Sequence, residues 1–299
     1  LQVLESVCKT KKFFHNIKNH RSYKKFGDVK VWKKKCDYLQ NIKTYKNPKD
    51  YLKENFKLSL LSKTEGLLTG YYQPVINVSR TKDNKFKYPI LKKNKIYNKK
   101  ARSFIEANYN LEDVLIWTDD KVDLFFLHIQ GSGIGEFPDM KQIKISYDGN
   151  NSLNYSSIGK YLIKKNYIRP NNVNLFTIKS WLSKNSQISN KIMNVNNRFI
   201  FFKEESIKNS SMPIGAFGQP LISNFTIAID KNIYPIGLPF LFEKLEDSSF
   251  HPVVSLDTGS AIIGYNRADL FFGRGKDAEE KAGLLKKKIY LYALVPYTK

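Results

Sequence analysis

The C-terminal third of the chain constrains its fold most. Short apolar runs follow one another there: Thr226–Ile229, Leu238–Phe242, Val253–Leu256, Ala261–Gly264 and Ile289–Val295. Glycine and proline punctuate them, and only Asp277–Leu285 reads as a helix. Short runs rich in β-branched and aromatic residues read as strands, and many in series favour a barrel or sandwich over a parallel α/β sheet.

The rest of the chain has a different character. Residues 1–60 read mostly as helix, with Phe14, Ile17, Trp32, Tyr38, Leu39, Tyr51 and Leu52 at roughly helical spacing over a lysine-rich background. Gly66–Val78 switches to strand and turn. Val122–Ile129 reads as a buried strand that opens into a turn at Gln130-Gly131-Ser132-Gly133. Ser157–Lys165 and Thr177–Lys184 read as short amphipathic helices, and Arg198–Phe202 as another buried strand.

With 299 residues the chain is long enough for two domains, and 41% hydrophobic content argues for folded cores rather than disorder. The net charge of +23 admits two explanations. One is an anionic partner. The other is drift of neutral positions towards Lys, Asn and Ile, as in Lys92–Lys100 and Ile163–Tyr167. The basic residues are scattered, with no helix-length stripe of arginine and aromatics, which argues against nucleic acid. Cys8 and Cys36 have no metal-site spacing, and both a disulfide and two free thiols stay open. No run of about 18 apolar residues is present to span a membrane. The chain opens on Leu rather than Met, which leads us to expect that an export or lipid-anchor segment preceded it.

Three aspartates hold the chemical interest. Asp230 follows the run TIAI and Asp257 follows VVSL, whereas Asp269 lies among Ala268, Leu270, Phe271 and Phe272. An aspartate at a strand end is ordinarily a turn-former bonded to backbone amides. Asp269 differs, because apolar neighbours strip hydration from the charged form and raise the pKa. A carboxylic acid still protonated near neutral pH is the acid that glycosidic cleavage requires.

Several motifs then fall in order. They are Thr69-Gly70-Tyr71-Tyr72-Gln73-Pro74-Val75, Asp123–Gly133 (DLFFLHIQGSG), Ser157-Ile158-Gly159, and Gly215-Ala216 to Pro220-Leu221. Asp257–Ile262, Arg267–Gly275, Ala278 and Ala282-Gly283 complete the set. Over roughly residues 65–298 this resembles the membrane-bound lytic murein transglycosylase A family, with its Gly-Tyr-Tyr-Glu-Pro and Phe-Phe-x-His-x-Gln-Gly-Ser-Gly signatures. The chain departs from the family at Ser152, where a Gly is usual after Asn151, at Phe272, commonly Trp, and at Lys288-Ile289, where a Gly usually precedes the last strand.

The resemblance implies a mainly β fold. A double-psi β-barrel catalytic domain would comprise residues 1–74 and 204–299, with the three aspartates within about 217–298. A second β-rich, substrate-binding domain would be inserted at 75–203, with a glycan groove between the two. The implied reaction is non-hydrolytic cleavage of the β-1,4 bond between N-acetylmuramic acid and N-acetylglucosamine, leaving a 1,6-anhydromuramic end. Asp269 would be the single catalytic carboxylate, with Asp257 and Asp230 in support. Tyr71, Tyr72, Gln130, Gly131 and Ser132 would bind substrate. Tyr71 and Tyr72 are adjacent on a strand, so only one is expected to face a groove.

No metal and no cofactor are implied. The partners implied are peptidoglycan glycan strands and cell-wall enzyme complexes, with no nucleic acid, for a monomer in the periplasm held at the outer membrane as a lipoprotein. Cys8 lacks the small residues that precede a lipidated cysteine and is not assigned as the anchor. His128 would share a strand face with Phe126 and Gln130, and a structural role is expected of it. Three competing readings are a cell-wall-binding scaffold without turnover, a glycan hydrolase using Asp269 with Asp257, and a nucleic-acid binder.

Overall fold

Helices form first along the chain because apolar residues there recur three and four apart. The computed structural model describes residues 2–41, 48–207 and 212–298. It opens with α1 (Gln2–Cys8), α2 (Lys11–Asn19), α3 (Val29–Asn41) and α4 (Pro48–Asn55). Thr10 caps α2 by accepting the Phe13 amide at 3.3 Å. Phe13 and Ile17, one turn apart, are fully buried, and Phe13 meets Trp32 of α3 edge-on at 5.0 Å. Cys8 and Cys36 form a disulfide that fastens α1 to α3, resolving the alternative left open by the sequence. The helical reading of residues 1–60 spans 42–47, which lie outside the described residues, and it ends where strand replaces helix at Phe56.

In chain order there follow β1 (Phe56–Leu60), β2 (Gly66–Gln73), β3 (Val75–Ser79), β4 (Tyr88–Leu91), α5 (Arg102–Ala107) and β5 (Val114–Thr118). Next come α6 (Lys121–Gln130), β6 (Gly133–Glu136), β7 (Gln142–Asn150), α7 (Ile158–Lys164), α8 (Leu175–Lys184) and α9 (Ser186–Met193). The last are β8 (Ile200–Glu205), β9 (Thr226–Ile229), β10 (Pro239–Lys244), β11 (Phe250–Thr258), β12 (Arg267–Arg274), α10 (Gly275–Leu284) and β13 (Lys286–Pro296).

These elements form two units. The first comprises Leu1–Tyr71, Ile214–Gly273 and Leu285–Lys299. Its strands run β13-β10-β11-β9-β12-β2, and β2 pairs back onto β13, so the ring closes; β1 adds outside on β13. This closed ring is the barrel that the resemblance implied, and closure leaves no bare edge within it. The β9–β11 pair is parallel, against antiparallel neighbours such as β9–β12 and β10–β13. Ile227, Ile229, Phe240, Leu256, Ile289 and Leu291 are fully buried in it. Each such side chain contributes about 1.5–3 kcal/mol by leaving water. Gly66 is needed where β2 begins, since a Cβ there would fall 1.7 Å from the Asn266 carbonyl oxygen.

The second unit comprises Tyr72–Pro213 and Arg274–Leu284. Its sheet runs β4-β5-β3-β6-β7-β8 over a core that includes Ile76, Val78, Ile90, Ile116, Ile145 and Phe202.

Two segments expected as strands are not strands. Val122–Ile129 is not a strand but most of helix α6. Asp120 caps it by accepting the amides of Val122 at 2.6 Å and Asp123 at 3.0 Å. Gly131, left-handed at φ 80°, closes the other end. The run is apolar without a helical period because both sides of α6 are buried. Leu124 and Leu127 join the sheet core, whereas Phe125 and Phe126 pack with residues of α7, α8 and α9. Periodicity cannot separate such a helix from a buried strand. Ala261–Gly264 is likewise no strand: it lies in the connection before β12, and Ile263 is 74% exposed.

The departure at Ser152 has a visible cost. Asn151 is fully buried, with its Nδ2 donating to the carbonyls of Lys100 and Asn197, both at 2.7 Å. Its Oδ1 accepts the Phe199 amide at 2.9 Å. The tether forces the following Ser152 to φ 61°, a conformation that suits glycine better.

Candidate active site

Strand alternation assembles the barrel unit's site. On β12 it buries Ala268 and Leu270 on one side and leaves Arg267 and Asp269 half-buried on the other. Thr69 on β2 donates its hydroxyl to Asp269 Oδ1 at 2.5 Å. Arg267 in turn donates to the Thr69 oxygen at 2.8 Å, and also to the carbonyls of Leu67 and Ala268. A relay thus runs from the guanidinium through one hydroxyl to the carboxyl.

Asp269 is half-buried, so it is poorly solvated yet still reachable from outside. Burial pushes its pKa up, the Arg267 charge and the Thr69 bond pull it down, and Asp257 pushes it up again. The balance stands at about 6. Desolvation wins because the relay brings one full charge no closer than one hydroxyl away.

Asp257, near the end of β11, is held on three sides. Its Oδ1 accepts the amides of Ala216 at 3.0 Å and Thr258 at 2.9 Å, and its Oδ2 accepts the Tyr71 hydroxyl at 3.1 Å. Burial raises its pKa, and these bonds oppose the rise. Tyr71 packs its ring on Phe271 at 5.2 Å. Its hydroxyl is held well above the ordinary phenol range, first by burial and then by Asp257 and Asp269, so it stays a donor.

Asp230 follows β9, with Oδ1 accepting the Asn232 amide at 2.9 Å and Oδ2 the Gly264 amide at 3.1 Å. That is the turn-former's pattern. The barrel unit therefore brings Asp269, Asp257 and Tyr71 together. Thr69 and Arg267 belong with them, and the sequence reading assigned neither a role. The spacing of Arg267 two residues before Asp269 on one strand was the available signal.

In the second unit, Gln130 ends α6 and its Oε1 accepts the Tyr72 amide at 3.3 Å. Gly131 and Ser132 form the turn that follows. Tyr72 is only 3% exposed, so its ring is core rather than a free face for a sugar. Its hydroxyl bonds to Glu279 of α10, and burial first, then Glu279, raises its pKa. Lys179 of α8 bridges Glu279 at 2.5 Å and Asp123 at 2.8 Å. His128, placed by α6 and not by strand alternation, is buried with Nδ1 against Arg102 at 2.8 Å. Burial lowers its pKa, so the ring is neutral, as suits a structural histidine. Among the described residues there is no cluster of His, Cys, Asp and Glu suited to a metal ion.

Comparison with known proteins bears on this geometry. A family model described as the MltA specific insert domain matches residues 67–203, and a 3D domain model matches residues 225–295. The membrane-bound lytic murein transglycosylase A homolog of Buchnera aphidicola (Schizaphis graminum) is 30% identical over 296 residues, covering 86% of this chain and 77% of that protein. The chain belongs to the membrane-bound lytic murein transglycosylase A family.

Two further relatives bear that family name. The Vibrio cholerae protein is 32% identical over 235 residues, 74% of this chain, and the Escherichia coli K12 protein 32% identical over 230 residues, 72% of this chain. The matches span 62% and 61% of those proteins, under two thirds of their length. The crystal structure of a membrane-bound lytic murein transglycosylase from Agrobacterium tumefaciens superposes with a TM-score of 0.79 at 26% identity, covering 95% of this chain and 91% of that one. The E. coli protein, solved with bound chitohexaose, shares the fold with a TM-score of 0.76 at 24% identity, over 95% of this chain and 87% of that one.

Proposed function

We propose that the chain is a lytic transglycosylase that cleaves the β-1,4 bond between N-acetylmuramic acid and N-acetylglucosamine of peptidoglycan, with Asp269 as acid and then base. The observation that carries this reading is one half-buried carboxyl whose pKa stands at about 6, beside a second carboxyl fully engaged in fixed hydrogen bonds. Family membership supplies the substrate class.

In the first step Asp269 gives its proton to the glycosidic oxygen as the bond to the muramic C1 breaks. In the second the C6 hydroxyl of the same sugar closes on C1 and returns its proton to the Asp269 carboxylate. The nucleophile is already attached to the reacting ring, so proximity is built in and no water needs activation. An ordinary glycosidase needs a second carboxylate for that purpose. Asp257 serves by keeping the proton on Asp269 through like-charge repulsion. Tyr71 fixes Asp257, and Gln130, Gly131 and Ser132 offer amide and hydroxyl groups to the sugars. The barrel unit (1–71, 214–273 and 285–299) then carries the chemistry and the second unit (72–213 and 274–284) the glycan binding, which moves 72–74, 204–213 and 274–284 out of the catalytic domain that the resemblance implied.

We place the protein in the cell envelope, facing the periplasm. The relatives' description as membrane-bound supports this, and so does the Cys8–Cys36 disulfide, since such bonds persist in oxidising compartments. Among the described residues no helix is long and apolar enough to cross a membrane.

A second reading, a two-carboxylate hydrolase, is favoured by Asp257 and Asp269 both standing in register with Ala228 of β9, one strand to either side of it. Muropeptides released from purified peptidoglycan by the wild type and by Asp269→Asn test the proposal. Release by the first and none by the second is expected. Equal release by both would refute it.

A further inference from the structure

The segment 214–221 touches the active site at one end and the N-terminal helices at the other. Its Ala216 amide donates to Asp257 Oδ1 at 3.0 Å, and its Phe217 amide donates to the Leu256 carbonyl at 2.9 Å. The segment is closed on itself by the Gly215 amide on the Gln219 carbonyl at 3.0 Å and by a bridge between Ile214 and Pro220. Gln219 then fastens it to α1. Its Nε2 donates to the Ser6 carbonyl at 2.9 Å, and its Oε1 lies 3.2 Å from the Ser6 hydroxyl, which shares its one proton with the Val3 carbonyl at 2.8 Å. Two residues on, Cys8 ties α1 to α3. Lys12 of α2 adds a bond to the Ala216 carbonyl at 3.1 Å.

We propose that Gln219 is a positioning residue for Asp257, holding the Ala216 amide on that carboxyl through a brace anchored in α1 and its disulfide. The inference rests on the reading in which Asp257 tunes Asp269. A side-chain amide that meets one serine through both its nitrogen and its oxygen defines both the height and the tilt of the segment. The N-terminal helices thereby acquire a part in the chemistry, although they lie outside the motifs and touch neither aspartate.

The electrical consequence has a definite sign. The groups facing Asp257 are the Ala216 and Thr258 amides, the Tyr71 hydroxyl from β2, and Asp269 from β12 with Arg267 behind it. An amide on a carboxylate favours the ionised form. Slackening the brace therefore raises the pKa of Asp257. A less ionised Asp257 repels the Asp269 carboxylate less, so the pKa of Asp269 falls.

The test is a carbon-13 NMR titration of both carboxyls in the wild type and in Gln219→Ala, alongside the pH dependence of anhydro-muropeptide release. In the variant Asp257 should titrate higher by about one unit, the size of one charge-assisted hydrogen bond, and Asp269 lower. The alkaline limit of activity should move down with Asp269, and kcat should fall while KM is unchanged. Cys8→Ser/Cys36→Ser keeps Gln219 but frees α1, and should move both titrations in the same directions. Titrations of the two variants that superpose on the wild type overturn the brace. Wild-type protein that releases no anhydro ends overturns the transglycosylase reading instead, and the titrations still decide the brace.

Discussion

Asp257 and Asp269 flank the same residue. Ala228 of β9 is the register partner of Asp257 across the parallel β11 pairing and of Asp269 across the antiparallel β12 pairing. Residues in register share a face, so both carboxyls rise from one side of the sheet, about 10 Å apart at the backbone, with a single methyl between them. A bulge between Ser255 and Asp257 sets this register. A larger side chain at Ala228 would fill the space over which the two charges sense each other.

The proton on Asp269 should set the pH dependence of activity. An acid must be protonated to act, so release of product should be sustained below the pKa of about 6 and lost as pH rises through it. Thr69→Val keeps the shape of the side chain but removes the bond that favours the carboxylate. It should move this limit upward by about one unit. Asp257→Asn removes the like charge and should move it downward. Rate against pH for the three proteins checks both signs, and shifts in one direction for both variants would contradict the electrostatic account.

Asp269 should also weaken the fold at the pH where it is ionised. Its folded pKa is raised from 3.8 to about 6, so its favourable contribution is full below about pH 4 and lost as pH rises through about 6. At pH 7–8 this amounts to roughly 3 kcal/mol at most. Asp269→Asn should therefore melt higher than the wild type at pH 7.5, and the gap should close near pH 4. Calorimetry at the two pH values measures it, and a gap independent of pH would mean that Asp269 is not desolvated.

Much of this site was legible before any coordinates. The apolar company of Asp269 points to a desolvated carboxyl, whereas Asp230 carries two readings, a turn-former from its place after a strand and a supporting role implied by the resemblance, and its bonds to the Asn232 and Gly264 amides fit the first. Arg267 and Thr69 were present in the motifs but carried no signal of a joint role. Their relay depends on β2 lying beside β12, a pairing some 200 residues apart in sequence. Four of the five C-terminal runs are readable as strands because they are short, apolar and bounded by turn residues; Ala261–Gly264 has the same composition but lies in a connection. Helix α6 was not, because it is buried on both sides and so loses the polar stripe that reveals a helix. Tyr72 is illegible for a related reason: a tyrosine reads equally well as core or as a sugar platform, and only the fold brings Glu279 to its hydroxyl.

Ser152 offers a clean stability test away from the chemistry. Its φ of 61° is enforced by the buried bonds of Asn151. Ser152→Gly relieves the strain and should stabilise the protein by about 0.5–1 kcal/mol with activity unchanged. Urea unfolding gives the value, and a loss of stability would show that the Ser152 side chain makes a compensating contact.

Digestion of peptidoglycan in oxygen-18 water, followed by mass spectrometry of the muropeptides, separates attack by the C6 hydroxyl from attack by water. Anhydro-muramic ends with no oxygen-18 at C1 are expected, because the nucleophile is the sugar's own C6 hydroxyl. Reducing ends carrying one oxygen-18 would contradict this and make Asp257 the second carboxylate of a hydrolase.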